Sequence, residues 1–307
     1  MNGFPQLNGF HSAPGLVRLI GHRGARGLMP ENTIQGFEFT LDIGVSALEF
    51  DVMLTRDAVP VITHNHHLSK AATRDANGQW LVGEEPKVSD FTLAQLKHFD
   101  VGGLDGRTAY GKCFPDQAFL SDIRIPQLSE LLELATVPKG KCLYFLLEIK
   151  SDPSSRTTDI VEKVVGEVRQ RDLSNRTVLH SFDWDILKEC RRIAPEMPRS
   201  YLSQTPENAN DPMENSPEAV TPDFSSFDKS IPQAIADEDG QMWCPYFKDV
   251  TADLVKEAHE LGLLVSTWTV NETEDMERVI DAGVDSIVTD YPGRAQRVLS
   301  SRTLRWY

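Results

Sequence analysis

Residues 22–64 read HRGARGLMPENTIQGFEFTLDIGVSALEFDVMLTRDAVPVITH, and the order of apolar and polar positions in this stretch decides how the rest of the chain is interpreted. Two short apolar runs, 18–22 and 59–64, predict strands. Each run ends in a histidine, His22 and His64. Polar side chains at the ends of buried strands commonly build a site along the edge of a sheet.

Two carboxylates lie between these histidines, in a third strand-like run over 47–54. Glu49 and Asp51 are two residues apart, a spacing that directs both side chains to one face of a strand. Like charges held on one face repel each other unless a cation or a proton lies between them. Together with His22 and His64, the pair predicts a metal-assisted acid–base site.

Strand-like and helix-like segments alternate along the rest of the chain. Further strands are predicted over 142–149, 177–181, 199–202, 242–244, 263–269 and 286–289, and helices over 33–41, 128–135, 158–171, 184–192, 251–261, a segment ending at Gly283, and 293–299. Nearly continuous apolar strands separated by helices predict a parallel sheet buried on both faces. Eight such units in 307 residues predict a closed (β/α)8 TIM barrel, with an open doubly wound sheet as the alternative.

The polar residues favour the barrel over the open sheet. Many of them fall near the carboxyl ends of predicted strands, and barrel active sites are built at that end. These residues are His22, Glu49, Asp51, His64, Glu148, Lys150, Ser181, Trp268 and Asp290. Their placement predicts a single site at one mouth of the barrel.

Three segments interrupt the alternation. Residues 1–16 predict a loose arm, and residues 65–125 carry turn signals and one short helical pattern. Residues 203–225 are rich in proline, asparagine, serine and acids and predict a long loop before a short helix over 229–236. We therefore predict one domain over 1–307 with a small insertion at about 65–125, after strand 2.

Composition and charge restrict the classes of function. The formal net charge of −15 argues against a nucleic-acid-binding protein, which would present a basic face. An anionic small molecule stays compatible, because a bound metal and a few basic side chains outweigh a distant negative surface. The chain has no apolar run near the ~18 residues of a membrane span and no secretory signal pattern at its start. We predict a cytoplasmic enzyme without stable membrane insertion, and its oligomeric state is left open.

The four cysteines are widely scattered and lack the spacing of a zinc site or a redox pair. We predict that they are reduced. The strand pattern places Cys142 and Cys244 in strand cores, and the helical pattern places Cys190 on a helix.

Several of these motifs resemble the glycerophosphodiester phosphodiesterase family. The matching motifs follow one another in the family's order: HRG at 22–24, PENT at 30–33, E-x-D at 49–51, the strand-end His64, LEIK at 147–150, TWTVN at 267–271 and VTDYP at 288–292. The resemblance spans about residues 18–293. It implies a TIM barrel with an insertion that caps one mouth, and a metal-dependent enzyme.

The resemblance also implies roles for individual residues. Glu49, Asp51 and Glu148 match the family's ligands for one divalent cation, and three carboxylates suit Mg²⁺ or Ca²⁺ better than zinc. Without the family, salt bridges to neighbouring basic residues would explain the acids equally well. His22 and His64 match the catalytic histidines. We assign His22 as the base and His64 as the acid, although the sequence does not derive that order.

Five further residues complete the predicted site. Arg23 and Lys150 are interpreted as phosphate contacts, with simple neutralisation of the carboxylates as the alternative. Trp268 is placed against the alcohol portion of the substrate, with a barrel-lining role as the alternative. Glu31 and Asn32 are predicted to order the first loop, and Glu31 to hold Arg23.

Secondary predictions concern the edges of the site. Asp290 is predicted to position Lys150 or a loop, and Asn271 to cap a helix through a capping box with Glu274. Phe182 and Trp184 are candidates for the pocket wall.

One position departs from the family pattern. The family carries aspartate directly after the second histidine, whereas this chain has Asn65, followed by His66 and His67. Asparagine still forms hydrogen bonds but brings no charge, so substrate preference and rate are affected more than the class of reaction. The histidine run could bind a transition metal, but we interpret it as a solvated loop.

The sequence therefore predicts metal-dependent hydrolysis of glycerophosphodiesters to sn-glycerol 3-phosphate and an alcohol. Two alternatives stay open. A lysophospholipase D-type lipid phosphodiesterase would need an apolar entrance, for which residues 203–228 with Phe224 and Phe227 are the candidates. A protein that binds phosphodiesters without cleaving them is the other, and Asn65 is its only support. The partner predicted in every case is a small-molecule phosphodiester.

Overall fold

A computed structural model describes residues 3–137, 140–152, 155–208 and 221–307. Within these residues the strands are β1 Arg18–His22, β2 Ala47–Leu54, β3 Pro60–Ile62, β4 Tyr144–Ile149, β5 Thr177–Ser181, β6 Arg199–Ser203, β7 Met242–Pro245, β8 Leu264–Thr267 and β9 Ser286–Thr289. The helices are α1 Ile34–Asp42, α2 Leu93–Leu96, α3 Ala109–Cys113, α4 Leu128–Leu132, α5 Thr157–Gln170, α6 Trp184–Ile193, α7 Ile231–Asp237, α8 Ala252–Glu260, α9 Thr273–Ala282 and α10 Pro292–Ser301.

The sheet closes on itself. In the described part of the chain, β1 pairs in parallel with both β2 and β9, and the remaining parallel pairs run from β2 through β4, β5, β6, β7 and β8 to β9. These eight parallel strands form a (β/α)8 TIM barrel, so that prediction is confirmed and the open doubly wound sheet is wrong. Strand β3 lies outside the barrel and pairs antiparallel with β2.

The alternation of side chains along β2 explains how the core and the site share one strand. All eight residues of β2 are buried. Phe50 packs outward, edge-to-face against Phe37 of α1 and Phe145 of β4, at ring-centroid distances of 6.0 Å and 5.9 Å. Because successive side chains of a strand point to opposite faces, Glu49 and Asp51 point into the barrel.

The loop between β1 and α1 holds an unusual backbone. Gly24 has φ +90°, and a Cβ there would lie 2.8 Å from the backbone carbon of Gly36, so only glycine fits. Arg23 and Asn32 also adopt the left-handed region, with φ 48° and 55°. Such conformations cost energy in residues other than glycine and concentrate at functional sites. Helix α1 begins after Thr33, whose side chain accepts a hydrogen bond from the Gly36 amide at 3.1 Å.

Residues 65–125 form a small unit that contacts the loop following β1. It contains α2 and α3, and its apolar residues Leu68, Val88, Leu96 and Ile125 form a core with Val61 of β3. The amide of Ala118 donates to the Leu28 carbonyl at 2.9 Å. The side chain of Gln117 donates to the Arg26 carbonyl at 2.7 Å. The insertion therefore borders the loop that carries Arg23 and Asn32.

The N-terminal segment differs from its prediction. Residues 1–16 were expected to form a loose arm, but Phe10 is completely buried and Gln6 donates to the carbonyls of Ser174 and Glu196. Apolar Phe10 packs edge-to-face on Tyr144 at the start of β4. The glycine and asparagine content suggested a loose arm. The contacts that fix the segment could not be predicted locally, because their partners are distant in sequence.

Two strand limits and one cysteine also differ. Strand β3 ends at Ile62, two residues before His64, and β4 begins at Tyr144 rather than at 142. Cys142 is therefore exposed before the strand, and its predicted place in a strand core is wrong. Cys244 and Cys190 are buried in β7 and α6, as predicted.

The loop predicted over 203–225 lies partly outside the described residues, at 209–220. Phe224 and Phe227 pack on each other and on Trp184, with centroid distances of 5.5, 6.1 and 5.8 Å. Phe227 also lines a cavity of about 510 Å³ beside α6 and α7. Helix α7 confirms the predicted short helix in this region. None of the helices in the described ranges is long and apolar enough to cross a membrane.

An ion pair at the amino end of the barrel, between exposed His259 and buried Asp285, predicts how stability depends on pH. His259 Nε2 lies 2.8 Å from Asp285 Oδ2, and Asp285 also accepts from the Ser12 hydroxyl at 2.8 Å. The hydrogen bond to Asp285 raises the pKa of His259 above its ordinary value of 6.5. A histidine with a raised pKa stabilises the fold below that ordinary value and loses this contribution as the pH rises through the raised pKa.

We therefore expect the free energy of unfolding to fall as the pH increases across this window, and the fall to be smaller in His259→Gln. Urea unfolding of both proteins at several pH values above 6.5 measures the difference. Equal slopes in the two proteins would contradict the assignment to His259.

Candidate active site

Three buried carboxylates meet at the carboxyl ends of β2 and β4. Oxygens of Glu49, Asp51 and Glu148 lie within 4.8 Å of one another. Asp51 and Glu148 occupy the same level of neighbouring strands, so their side chains share the barrel interior. The sequence predicted these three residues as one cluster, and the fold brings them together.

Two cations lie among these carboxylates. Lys150 Nζ is 2.9 Å from Asp51 Oδ1 and 2.8 Å from Glu148 Oε1. Arg23 Nε is 3.4 Å from Asp51 Oδ2 and Arg23 Nη1 is 3.0 Å from Glu31 Oε1, so the predicted hold of Glu31 on Arg23 is present. The side-chain amide of Asn32 donates to Asp51 Oδ2 at 2.8 Å, which ties the strained loop to the cluster.

Burial and crowding distort the titration of the acids. Burial, together with repulsion from Asp51 and Glu148, raises the pKa of Glu49 well above its ordinary value. Burial likewise raises the pKa of Glu148 to about 7. Burial alone would also raise the pKa of Asp51, but the charges of Lys150, His64 and Arg23 hold it well below its usual range. Full ionisation of the three acids would therefore place more negative charge here than Arg23 and Lys150 neutralise.

Asp290, which directly follows β9, contacts the imidazole of His22. His22 Nδ1 lies 2.7 Å from Asp290 Oδ1, and its Nε2 lies 3.7 Å from Glu49 Oε2. Since the carboxylate of Asp290 can only accept, Nδ1 carries the proton and Nε2 is left as the acceptor. Burial lowers the pKa of His22, against the opposing charge of Asp290, so the imidazole is neutral at pH 7.

His64 lies near Asp51, and the side chain of Asn65 contacts its ring. Its Nδ1 is 2.8 Å from the Asn65 side-chain oxygen. Burial and the charges of Arg23 and Lys150 lower the pKa of His64 well below its ordinary value. Asn65 thus orients the ring without supplying the negative charge that an aspartate would. His66 turns away to the carbonyl of Ser151.

The contacts of Asp290 and Asn271 bear on two predicted roles. Asp290 was predicted to position Lys150 or a loop, and it contacts the loop after β1: its carboxylate accepts from His22, from Arg26 at 2.8 and 2.9 Å, and from Asn271 at 2.7 Å. Asn271 is not a helix cap, because α9 begins after Glu272 without a side-chain capping bond. Its amide oxygen instead accepts from the Asp290 backbone at 3.0 Å. Asn271 therefore helps to orient the carboxylate of Asp290.

Three aromatic side chains pack together just after the carboxyl ends of β5, β7 and β8. Trp268 is 6% exposed, and its indole N–H donates to the Cys244 carbonyl at 3.1 Å. Its ring packs edge-to-face with Phe182 at 5.3 Å and with Tyr246 at 5.4 Å. Phe182 thus packs on Trp268, whereas Trp184 packs on Tyr201 at 5.0 Å, and the place of either ring in the pocket wall stays a prediction.

Three residues at the site were missed by the sequence analysis. Arg26 is completely buried beside Asp290, and the hydroxyl of Tyr110 in the insertion donates to Glu31. His180 is buried on β5 at the level of Glu148, and burial with the nearby charge of Lys150 lowers its pKa to about 3. Arg26 lay inside the HRG–PENT segment and His180 before Ser181 at a strand end, so position offered a signal for both. Nothing local marked Tyr110.

A closed barrel with buried acids, basic side chains and histidines at the carboxyl ends of its strands has the arrangement of a TIM-barrel enzyme. The glycerophosphoryl diester phosphodiesterase family matches residues 22–294, and the chain belongs to that family, whose members hydrolyse glycerophosphodiesters. The family and the enzyme class predicted from the sequence are confirmed.

Individual relatives agree with this assignment. A glycerophosphodiester phosphodiesterase of Caldanaerobacter subterraneus subsp. tengcongensis is 29% identical over 274 residues, covering 89% of this chain and 94% of the relative. The crystal structure of a Silicibacter pomeroyi DSS-3 protein assigned as a glycerophosphoryl diester phosphodiesterase is 55% identical, covers 99% of this chain and 100% of that chain, and superposes with a TM-score of 0.93.

A more distant structure shares the fold. An Oleispira antarctica phosphodiesterase, solved with its product sn-glycerol-3-phosphate, is 22% identical and has a TM-score of 0.70, covering 93% of this chain and 97% of that one. At this identity the similarity shows the barrel alone.

Proposed function

We propose that this protein hydrolyses glycerophosphodiesters to sn-glycerol 3-phosphate and an alcohol, with one divalent cation, Mg²⁺ or Ca²⁺, and with histidine acid–base catalysis. The observation that carries the proposal is the cluster of Glu49, Asp51 and Glu148, buried between His22 and His64. The similarity to the glycerophosphodiester phosphodiesterase of Caldanaerobacter subterraneus subsp. tengcongensis supports the same substrate class. One domain over 1–307, with an insertion at 65–125, is part of this proposal.

The charges at the site support a divalent cation. Five buried or half-buried carboxylates, Glu31, Glu49, Asp51, Glu148 and Asp290, face three cationic side chains, Arg23, Arg26 and Lys150. Full ionisation leaves an excess of two negative charges, which one divalent cation would balance. All-oxygen ligands suit Mg²⁺ or Ca²⁺. When bound, such an ion would neutralise the phosphoryl oxygens and polarise the phosphorus.

His22 is suited to act as the base. Its Nε2 is a bare acceptor because Asp290 holds the proton on Nδ1. Neutral at pH 7, the ring can take the proton from the attacking hydroxyl of the glycerol moiety. Attack of the 2-hydroxyl on phosphorus would form a cyclic phosphate as the ester bond to the leaving alcohol breaks. Attack within one molecule gains from proximity. Water then opens the cyclic phosphate to glycerol 3-phosphate.

His64 is suited to protonate the leaving alcohol. In the resting site burial, and after it the charges of Arg23 and Lys150, disfavour its protonated form. A phosphodiester bound beside Arg23 and Lys150 brings a negative charge that offsets theirs, which raises the proton affinity of His64. We propose that the fork of Arg23 and the point charge of Lys150 contact the phosphoryl oxygens in this way. Trp268 and Phe182 would pack against the apolar part of the substrate.

The test is hydrolysis of a panel of glycerophosphodiesters after treatment with EDTA and then with Mg²⁺, Ca²⁺ or Mn²⁺ restored. We expect metal-restored release of glycerol 3-phosphate, because three buried carboxylates repel one another without a cation. Full activity in EDTA would contradict metal dependence. Turnover limited to long-chain lysophospholipids would favour the lipid phosphodiesterase, and tight ligand binding without turnover would favour a binding protein.

A further inference from the structure

We propose that Arg26 is a positioning residue for catalysis, through which the insertion holds His22 in its reactive orientation. This inference rests on the proposed function, in which His22 is the base. Arg26 acts on Asp290, and Asp290 acts on His22.

The first link is a two-point contact. Arg26 Nε donates to Asp290 Oδ1 at 2.8 Å and Nη2 donates to Asp290 Oδ2 at 2.9 Å. A guanidinium bound in this way sets the plane of the carboxylate as well as its position. Asn271 donates to Oδ2 at 2.7 Å and so supports the same plane.

The second link passes from Asp290 to the imidazole. The oxygen that accepts from Arg26 Nε, Oδ1, also lies 2.7 Å from His22 Nδ1. The orientation of the carboxylate therefore determines the direction in which the His22 ring points. With Nδ1 held by Oδ1, Nε2 faces Glu49 and the interior of the site at 3.7 Å.

The third link joins Arg26 to the insertion. The guanidinium carbon lies 4.7 Å from the ring centroid of Phe114, and Nη1 donates to the Tyr110 hydroxyl at 3.4 Å. The Arg26 carbonyl accepts from Gln117 at 2.7 Å. Arg26 is completely buried, so the insertion also excludes the water that would compete for Asp290. Tyr110, Phe114 and Gln117 of the insertion thus support the orientation of His22 through Arg26.

Arg74, an arginine that lies within the insertion, provides a matched control for Arg26. Arg74 is 6% exposed, pairs with Asp100 at 3.1 Å and stacks on Phe119 at 4.4 Å. Its environment resembles that of Arg26 in burial, carboxylate partner and aromatic contact. Asp100, however, accepts from backbone amides of the insertion, at Gly102, Asp122 and Ile123, and not from His22. If Arg26 only stabilised the fold, replacing Arg26 and replacing Arg74 would have similar effects on stability and on kcat.

The experiment compares Arg26→Met with Arg74→Met, and Phe114→Leu with Phe119→Leu, in the full-length protein with Mg²⁺. We expect Arg26→Met to lower kcat by about ten- to a hundredfold with little change in KM, the usual range for loss of a partner behind an active-site side chain. Phe114→Leu should lower kcat less and keeps the test informative if Arg26→Met fails to fold. The Arg74 and Phe119 variants should lower thermal stability but leave kcat within about twofold.

A second measurement is independent of turnover. In histidine-labelled protein, ¹⁵N spectra report which ring nitrogen carries the proton, and His22→Gln identifies the signals of His22. We expect the Nδ1–H form in the parent and the Arg74→Met protein, and a mixture of forms in Arg26→Met. A kcat equal to that of Arg74→Met, or an unchanged His22 tautomer, would overturn the inference. If the parent cleaves no diester, the proposed function fails and the tautomer alone decides this inference.

Discussion

Replacing His22 by alanine is expected to lower kcat for glycerophosphodiester hydrolysis by about 10²- to 10⁴-fold, the usual contribution of a positioned acid or base. The structure gives the reason. Asp290 holds the proton on Nδ1, and burial keeps the ring neutral, so Nε2 can accept a proton at pH 7. Alanine removes this acceptor but leaves the three carboxylates and both phosphate-directed cations in place.

The effect should therefore fall on kcat, with KM changed by no more than a few fold. Initial rates for the parent and the variant over a range of substrate concentrations measure both constants. His98→Ala is the matched control, since His98 is exposed in the insertion and lies outside the site. If His22→Ala kept at least a tenth of the parental kcat, His22 would not be the base.

The sequence predicted the parts of the site that follow from local pattern. The two-residue spacing of Glu49 and Asp51 predicts a common face once 47–54 is identified as a strand. The carboxyl ends of parallel strands gather at one mouth of a barrel, so the cluster with Glu148 followed from the fold class. The catalytic assignment of the histidines came from the family resemblance and not from their positions alone.

The contacts that the sequence did not predict are all long-range. Asn271 precedes a helix, and local pattern therefore favoured a cap. In the folded barrel Asn271 lies beside the end of β9, next to the buried carboxylate of Asp290. Leaving that carboxylate without hydrogen-bond donors would cost more free energy than leaving an exposed helix end uncapped. Arg26 also donates to the carboxylate of Asp290, although the two residues are 264 positions apart in the sequence. A partner in a neighbouring strand leaves no trace in the periodicity of either segment.

The N-terminal segment failed for a related reason. Its glycines and asparagine have low propensity for regular structure, and they correctly predicted little of it. Burial is a separate property, decided by whether Phe10 finds an apolar surface. That surface, Tyr144 at the edge of β4, lies far along the chain. Composition predicted the secondary structure of the arm but not its docking.

Replacing Glu49 by glutamine is expected to change activity and stability in opposite directions. Without a cation, burial and repulsion from Asp51 and Glu148 raise the pKa of Glu49 well above its ordinary value. A carboxyl with a raised pKa in the folded state destabilises the fold as the pH rises from its ordinary value towards the raised one. Glutamine removes that charge, and its side-chain oxygen can still accept from the Arg23 amide, as Glu49 does at 3.0 Å.

We therefore expect metal-free Glu49→Gln to unfold at a higher temperature than the metal-free parent at pH 7 and above, and the difference to shrink as the pH is lowered towards 4.5. The same variant should lose at least about a hundredfold in kcat, because a bound cation contributes several kcal/mol to such a reaction. It should also lose most of the rise in melting temperature that Mg²⁺ or Ca²⁺ gives the parent.

Thermal unfolding with EDTA and with each metal, over a range of pH, tests both halves of this expectation. Glu260→Gln is the control, since it removes one negative charge from an exposed position on α8. It should alter neither the metal response nor kcat. A metal-free Glu49→Gln protein less stable than the parent would mean that Glu49 is compensated by charges within the chain. A cation would then not be needed to balance the cluster, and the case for a metal ligand at this position would fail.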